Sequence, residues 1–116
     1  MNMSDCLFCR IVDGEISTDI IYSDDHVMAF KDINPQAPIH ALVIPRRHIS
    51  TVADLDQNTA GIMDHLTRAA NQIAQDEGIV ENGYRLVINC NDDGGQAVYH
   101  IHMHVMGGRA MKWPPG

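Results

Sequence analysis

No stretch of this 116-residue chain approaches the ~18 consecutive apolar residues that a membrane-spanning helix needs, so a membrane partner is not expected. The first residues, Met1-Asn2-Met3-Ser4-Asp5, carry neither the basic nor the apolar region of a secretion signal. Basic residues are scarce: 8 Lys and Arg stand against 15 Asp and Glu, for a formal charge of −7. That balance weighs against DNA or RNA as a partner, because nucleic-acid binding rests on neutralising phosphates. It leaves room for a small phosphate ligand, which local dipoles and imidazoles can hold. Cysteine is also scarce, with Cys6, Cys9 and Cys90 only. An odd number without a secretion signal points to free or metal-bound thiols in a reducing compartment, the cytoplasm. Repeats, linkers and low-complexity segments are lacking, so residues 1–116 read as one domain.

What remains is an ordinary globular composition, 45% hydrophobic and 20% charged. Cys6 to Val12 reads as a short helical turn ended by Asp13-Gly14. Ile20-Ile21-Tyr22 and Val27 to Phe30 flank Ser23-Asp24-Asp25-His26 and read as a hairpin. Ala41 to Ile44 is a strand-length apolar run stopped by Pro45. From Asp56 to Glu77 the spacing predicts a helix, with Ile62, Leu66, Ala69, Ala70 and Ile73 on one face and Gly78 at the left-handed cap. Tyr84 to Cys90 reads as a strand, Asn91 to Gly95 as a turn, and Tyr99 to Met106 as a last strand. The sum is an α+β fold: an antiparallel sheet of about five strands with one main helix on it.

The last strand carries His100, His102 and His104 on alternate positions, with Ile101, Met103 and Val105 between them. Successive strand residues point to opposite faces, so the three imidazoles share one face and the apolar residues turn toward a core. Three readings are open: an exposed polar face, a metal site using same-face histidines, or imidazole catalysis on a phosphoryl or acyl group. Periodicity does not choose among them. Cys6-Leu7-Phe8-Cys9 is a lone C-x-x-C, compatible with zinc, redox chemistry or core thiols. His40 alone reads more readily as structural, Asp32 as a turn residue before Asn34-Pro35, and Phe8, Ile11, Phe30 and Ile33 as core. Gly94-Gly95 reads as a turn.

His100-Ile101-His102-Met103-His104-Val105-Met106 resembles the signature of the histidine triad (HIT) family, H-x-H-x-H followed by apolar residues. The likeness extends to Asp93 through Tyr99, Gly107-Gly108-Arg109, Asp32 through Pro38, His40, Pro45 through Ile49 and the ending Trp113-Pro114-Pro115-Gly116. It covers nearly the whole chain and is nearest to the Hint branch.

The resemblance implies a hydrolase of the P–N bond in purine nucleoside 5′-phosphoramidates, working through a covalent nucleotidyl-histidine. It makes His102 the nucleophile, its other nitrogen held by the main-chain carbonyl of His100. It makes His104 a donor to the phosphate oxygens and His40 a relay or orienting group. Covalent catalysis of this kind divides one difficult displacement into two. The resemblance further implies a structural zinc on Cys6, Cys9, His48 and His100, with no catalytic metal. It implies nucleotide contacts from Phe8, Ile11, Phe30, Asp32, Ile33, Asn89, Gly95, Gln96, Ala97 and Trp113 beside His102 and His104. It also implies a homodimer with the sheet continued across the interface and Trp113 near the partner's site. Many Hint proteins carry serine at the position of Ala97, whose side chain has no hydroxyl. That departure bears on rate, and it keeps two alternatives in view: a nucleotide-binding regulatory or scaffold protein with vestigial chemistry, and a dinucleoside polyphosphate hydrolase.

Overall fold

Residues 5–116 are described by the structure, a computed structural model; Met1–Ser4, part of the stretch read above for targeting signals, lie outside them. Eight elements follow in order: α1 (Leu7–Val12), β1 (Ile20–Ser23), β2 (Val27–Lys31), β3 (Ile39–Pro45), α2 (Ile62–Asp76), β4 (Tyr84–Ile88), α3 (Asn91–Gly94) and β5 (Met103–Gly107). The five strands form one antiparallel sheet in the order β1-β2-β3-β5-β4, the α+β arrangement expected. Among the described residues no helix is long and apolar enough to cross a membrane.

The hairpin β1–β2 closes through Asp24, whose carboxylate accepts from the main-chain N–H of His26 and Val27 at 2.7 and 2.8 Å. This is the local side-chain bonding that makes Asp a turn residue. β3 and β5 are neighbours in space but far apart in sequence, and α2 lies in the long connection that separates them.

The sheet is covered on both faces. Under α2, Val27, Ala29, Ala41, Val43, Ile101, Met103 and Val105 meet Leu66, Ala69, Ala70 and Ile73. Under α1, Met28, Phe30, Leu42 and Ile44 meet Phe8, Cys9 and Ile11. Alternation along each strand sends odd and even positions to these two layers.

Several expected boundaries move. The strand expected from Ala41 to Ile44 runs Ile39–Pro45, so Pro45 ends the strand from within it. The helix expected from Asp56 begins only at Ile62, because Gly61 at φ 87° breaks the path and the preceding residues form two 3-10 turns, Val52–Asp54 and Gln57–Thr59. At its other end Gly78 takes φ 72°, and the N–H groups of Gly78 and Ile79 return to the carbonyls of Gln75 and Ala74, closing a Schellman cap. Strand β5 starts at Met103 rather than Tyr99; His100 and His102 lie on the extended approach to it, held by Ile101 N–H to the Ile49 carbonyl at 2.8 Å. The turn expected at Asn91–Gly95 is one helical turn, ended by Gly95 at φ 79°. β4 ends at Ile88, two residues before Cys90.

Candidate active site

His104 stands on the face of β5 turned toward α1, and His100 and His102 lie on the segment that leads into that strand. His100 is fully buried, His102 is buried, and His104 is half-buried at the start of the ladder. Two carbonyls assign the first two rings. A carbonyl only accepts, so His100 Nε2 carries the proton it donates to the Pro45 carbonyl at 2.8 Å. By the same reasoning His102 Nδ1–H donates to the His100 carbonyl at 2.9 Å. The carbonyl of Pro45 is available because it closes β3 at the edge of the paired segment.

With Nε2 engaged, His100 turns Nδ1 toward two thiols, 3.3 Å from Cys6 Sγ and 3.5 Å from Cys9 Sγ. His48 Nδ1 lies 3.2 Å from Cys9 Sγ, and its Nε2 meets Ser50 Oγ at 3.3 Å. The four donor atoms of Cys6, Cys9, His48 and His100 all lie within 4.8 Å of one another. Zn–S near 2.3 Å and Zn–N near 2.0–2.1 Å at tetrahedral angles place S and N about 3.5 Å apart. The set therefore fits a Cys2His2 ion in separation and in softness of ligand. The Pro45 and Ser50 contacts supply the outer hydrogen bonds that hold ligand rings in place. Burial and the adjacent Cys6 push the Cys9 thiol up to about 12, and burial pushes His100 down to about 4. Thiolate is the form that binds a metal, so metal uptake by this set releases thiol protons.

The second ring nitrogen of His102 is left toward a cleft of about 430 Å3, within the size range of small-molecule sites. His102 and His104 are 5.2 Å apart between ring centroids, and Phe8 stands edge-on to His102 at 5.1 Å. Phe8, Ile11, Phe30 and Ile33 form apolar wall, and Asp32 supplies a carboxylate at its margin. Phe8 and Phe30 meet edge to face at 5.5 Å. Ile33 is 95% exposed, a large apolar side chain left in solvent beside the cleft. Ala97 also lines it.

His40, on β3, is a diagonal neighbour of His104 on the same sheet face, because Leu42 pairs with His104 and His40 with Met106. Its Nε2 is 2.9 Å from His104 Nδ1 and 3.4 Å from Asp32 Oδ2, and its Nδ1 is 3.0 Å from the Gln36 main-chain nitrogen. Burial, with His102 and His40 close by, pushes His104 down to about 4. Burial also lowers His40, against the opposing pull of Asp32.

Four of the expected nucleotide contacts are not on the walls of this cleft. Gln96 is buried and ties its loop to Ser50: its oxygen accepts from Asn91 N–H at 2.9 Å, and its amide donates to the carbonyls of Ser50 and Val98 at 2.8 and 3.0 Å. Gly95 serves as the left-handed cap of α3. Asn89 is half-buried against Gly94, and Trp113 is 84% exposed on the C-terminal tail. Ser17, Thr18 and Lys31, which no pattern in the sequence singled out, do line the cleft. They sit in a loop and at a strand end, where periodicity carries no signal.

A family profile described as HIT domain matches residues 13–111. The purine nucleoside phosphoramidase of Escherichia coli is 50% identical over 105 residues, which are 90% of this chain and 88% of that protein. A HIT family hydrolase from Legionella pneumophila superposes with a TM-score of 0.93 at 50% identity, covering 96% of this chain and 99% of that one. A histidine triad protein from Clostridium difficile superposes with a TM-score of 0.92 at 40% identity over 97% of both.

Proposed function

The chain belongs to the histidine triad family, and from that premise we propose that it hydrolyses the P–N bond of purine nucleoside 5′-phosphoramidates. The observation that carries this reading is the His102 ring, with Nδ1–H spent on the His100 carbonyl and Nε2 left as a lone pair beside His104 on the cleft wall. A neutral imidazole so held is a nucleophile. Nε2 attacks the α-phosphorus, the P–N bond breaks, and the departing nitrogen takes a proton from water in the cleft and leaves as the amine. Water then cleaves the P–N bond to His102 and releases the nucleoside monophosphate. His104 donates to the non-bridging oxygens as charge builds there. Asp32 accepts from the ribose hydroxyls, and the base lies among Phe8, Ile11, Phe30 and Ile33.

Zinc is the ion the Cys6, Cys9, His48 and His100 set suits, and when bound it cross-links α1 to the approach of β5. Its role is structural, and no catalytic metal enters the reaction. In this reading residues 1–116 act as one domain in the cytoplasm, in keeping with three cysteines that form no disulfide. Two copies pair through β4, a strand at one end of the sheet order, so that each sheet continues into the other and Trp113 approaches the partner's cleft.

The test is a steady-state assay over adenosine and guanosine phosphoramidates, with trapping of nucleotidylated His102. Turnover that survives chelators and disappears in His102→Ala is the expected result. The absence of a serine hydroxyl at Ala97 favours a second reading, a nucleotide-binding scaffold, and binding of AMP without hydrolysis of any phosphoramidate is its signature. Faster turnover of dinucleoside polyphosphates would move the substrate class instead.

A further inference from the structure

His40 has no free ring nitrogen. The Gln36 main-chain N–H only donates, so the His40 Nδ1 facing it at 3.0 Å carries a lone pair. In the neutral ring the proton must then sit on Nε2, which points at His104 Nδ1, 2.9 Å away. His104 Nδ1 accepts it, and the proton of the neutral His104 ring is placed on Nε2. We infer that His40, locked by the Gln36 amide, is a positioning residue that fixes His104 as an Nε2–H donor and keeps its own Nε2 proton rather than relaying it. The role in the reaction rests on the hydrolase reading above; the tautomers do not.

Proton accounting separates the two roles. To shuttle, His40 must pass its Nε2 proton to His104 and gain another at Nδ1. A proton at Nδ1 would oppose the Gln36 N–H across 3.0 Å, and passing one from Nε2 without replacement leaves an imidazolate. Either path breaks an arrangement that the loop enforces. The loop itself is braced: Arg109 Nε donates to the Gln36 carbonyl at 3.0 Å, and a side chain at Gly108 would meet Pro38 Cβ at 2.9 Å. The Gln36 side chain returns to the Asn34 carbonyl at 3.0 Å. Burial holds His40 below its ordinary range, in the same direction.

The same assignment explains a misleading cluster. Donor atoms of Asp32, His40 and His104 lie within 4.8 Å of one another, the spacing of a two-histidine, one-carboxylate metal site. A metal would need the Nε2 lone pair of His40, and the Gln36 N–H assigns that nitrogen the proton.

Nitrogen-15 shifts of the wild-type protein's histidines, read without turnover, test the lock directly. His40 and His104 should both be neutral Nε2–H tautomers at neutral pH. An Nδ1–H or doubly protonated His40 overturns the inference. Gln36→Pro, which deletes the amide proton, should release His40 toward the other tautomer, whereas Gln36→Ala, which keeps it, should not; identical spectra from the two folded variants also overturn it. In the phosphoramidate assay His40→Gln offers an N–H at the reach of Nε2 but cannot relay. Its kcat should stay within about 10-fold of wild type, against a loss of about 100-fold in His40→Ala. If His40→Gln binds AMP normally yet is as slow as His40→Ala, His40 carries the proton. A protein that shows the expected tautomers but hydrolyses nothing sinks the hydrolase reading and leaves the lock standing.

Discussion

The two faces of one sheet are built from alternate residues of the same strands and do opposite things. Toward α2, Ala41, Val43, Met103 and Val105 close a dry layer with Leu66, Ala70 and Ile73. Toward α1, the intervening positions His40, Leu42 and His104 share a layer with Phe8, Cys6 and Cys9. The first face gains stability from apolar area removed from water. The second gives up part of that area to hold imidazoles, and recovers rigidity through hydrogen bonds to main-chain groups. Because the strand is rigid, each face positions the other's residues, yet their losses should be separable by substitution.

His102→Ala should give the widest separation. It removes the proposed nucleophile and leaves the α2 layer untouched. A fall in kcat/KM of ~10^4-fold or more is expected, with the melting temperature nearly unchanged. A variant that keeps wild-type turnover ends the covalent mechanism. Cys6→Ala tests whether the chemical face is also held by an ion. Loss of bound zinc and a fall in melting temperature of more than ~10 °C are expected, because metal binding energy is folding energy in a small domain. Unchanged metal content and melting would remove the zinc assignment. Leu66→Ala strikes the other face. A fully buried leucine truncated to alanine costs about 2–5 kcal/mol, read as a shift in urea midpoint, while activity per folded molecule persists. A selective loss of activity at full stability would show that the faces are not independent.

Much of this contrast was legible in the sequence, for reasons that differ along the chain. The period of two in His100 to Val105 and the period near 3.6 from Ile62 to Ile73 report which side faces a core, and the structure bears both out. Boundaries were less legible because they depend on hydrogen bonds from elsewhere. Gly61 starts α2 late through its own backbone angle, and Ile49 captures the Ile101 N–H ahead of the β5 ladder. The Cys/His cluster draws Cys6, Cys9, His48 and His100 from three separate segments, and only resemblance to a family grouped them; the C-x-x-C alone left zinc, redox and packing open. Gln96 shows the opposite case. A polar residue beside the histidines reads as a ligand contact; its three hydrogen bonds here go to Asn91 and Val98 in its own loop and to the distant Ser50 carbonyl. Whether a polar side chain is free for substrate is a tertiary fact that spacing does not report.

A smaller effect comes from protonation of the chemical face. Burial pushes His104 down to about 4 and lowers His40, whereas unfolded histidine titrates near 6.5. Between pH ~6.5 and 4 the unfolded chain therefore binds more protons than the folded one. Stability contributed by the neutral rings is complete above that window and is lost as pH falls through it. Urea midpoints should decline from pH 7 to pH 5, and His104→Gln should flatten the decline. An equal decline in that variant would assign the sensitivity to other groups. The α2 face, which contributes no titratable core residue, should add nothing to the slope.

The smallest effect is expected at Ala97, where the cleft wall lacks a polar atom that the resemblance led one to seek. Its side chain is exposed and lines the same cleft as His102 and His104. Ala97→Ser adds a hydroxyl without burying it, so stability should move by less than ~0.5 kcal/mol. One added donor near charge that develops on the phosphate or the departing nitrogen should raise kcat by roughly 3- to 10-fold, with KM little altered, since the gain belongs to the transition state. A rise confined to 1/KM would place the hydroxyl against the bound nucleotide instead. No change in either constant would show that a main-chain N–H or water already fills that role, and that the chemical face reaches full rate with the apolar residue it has.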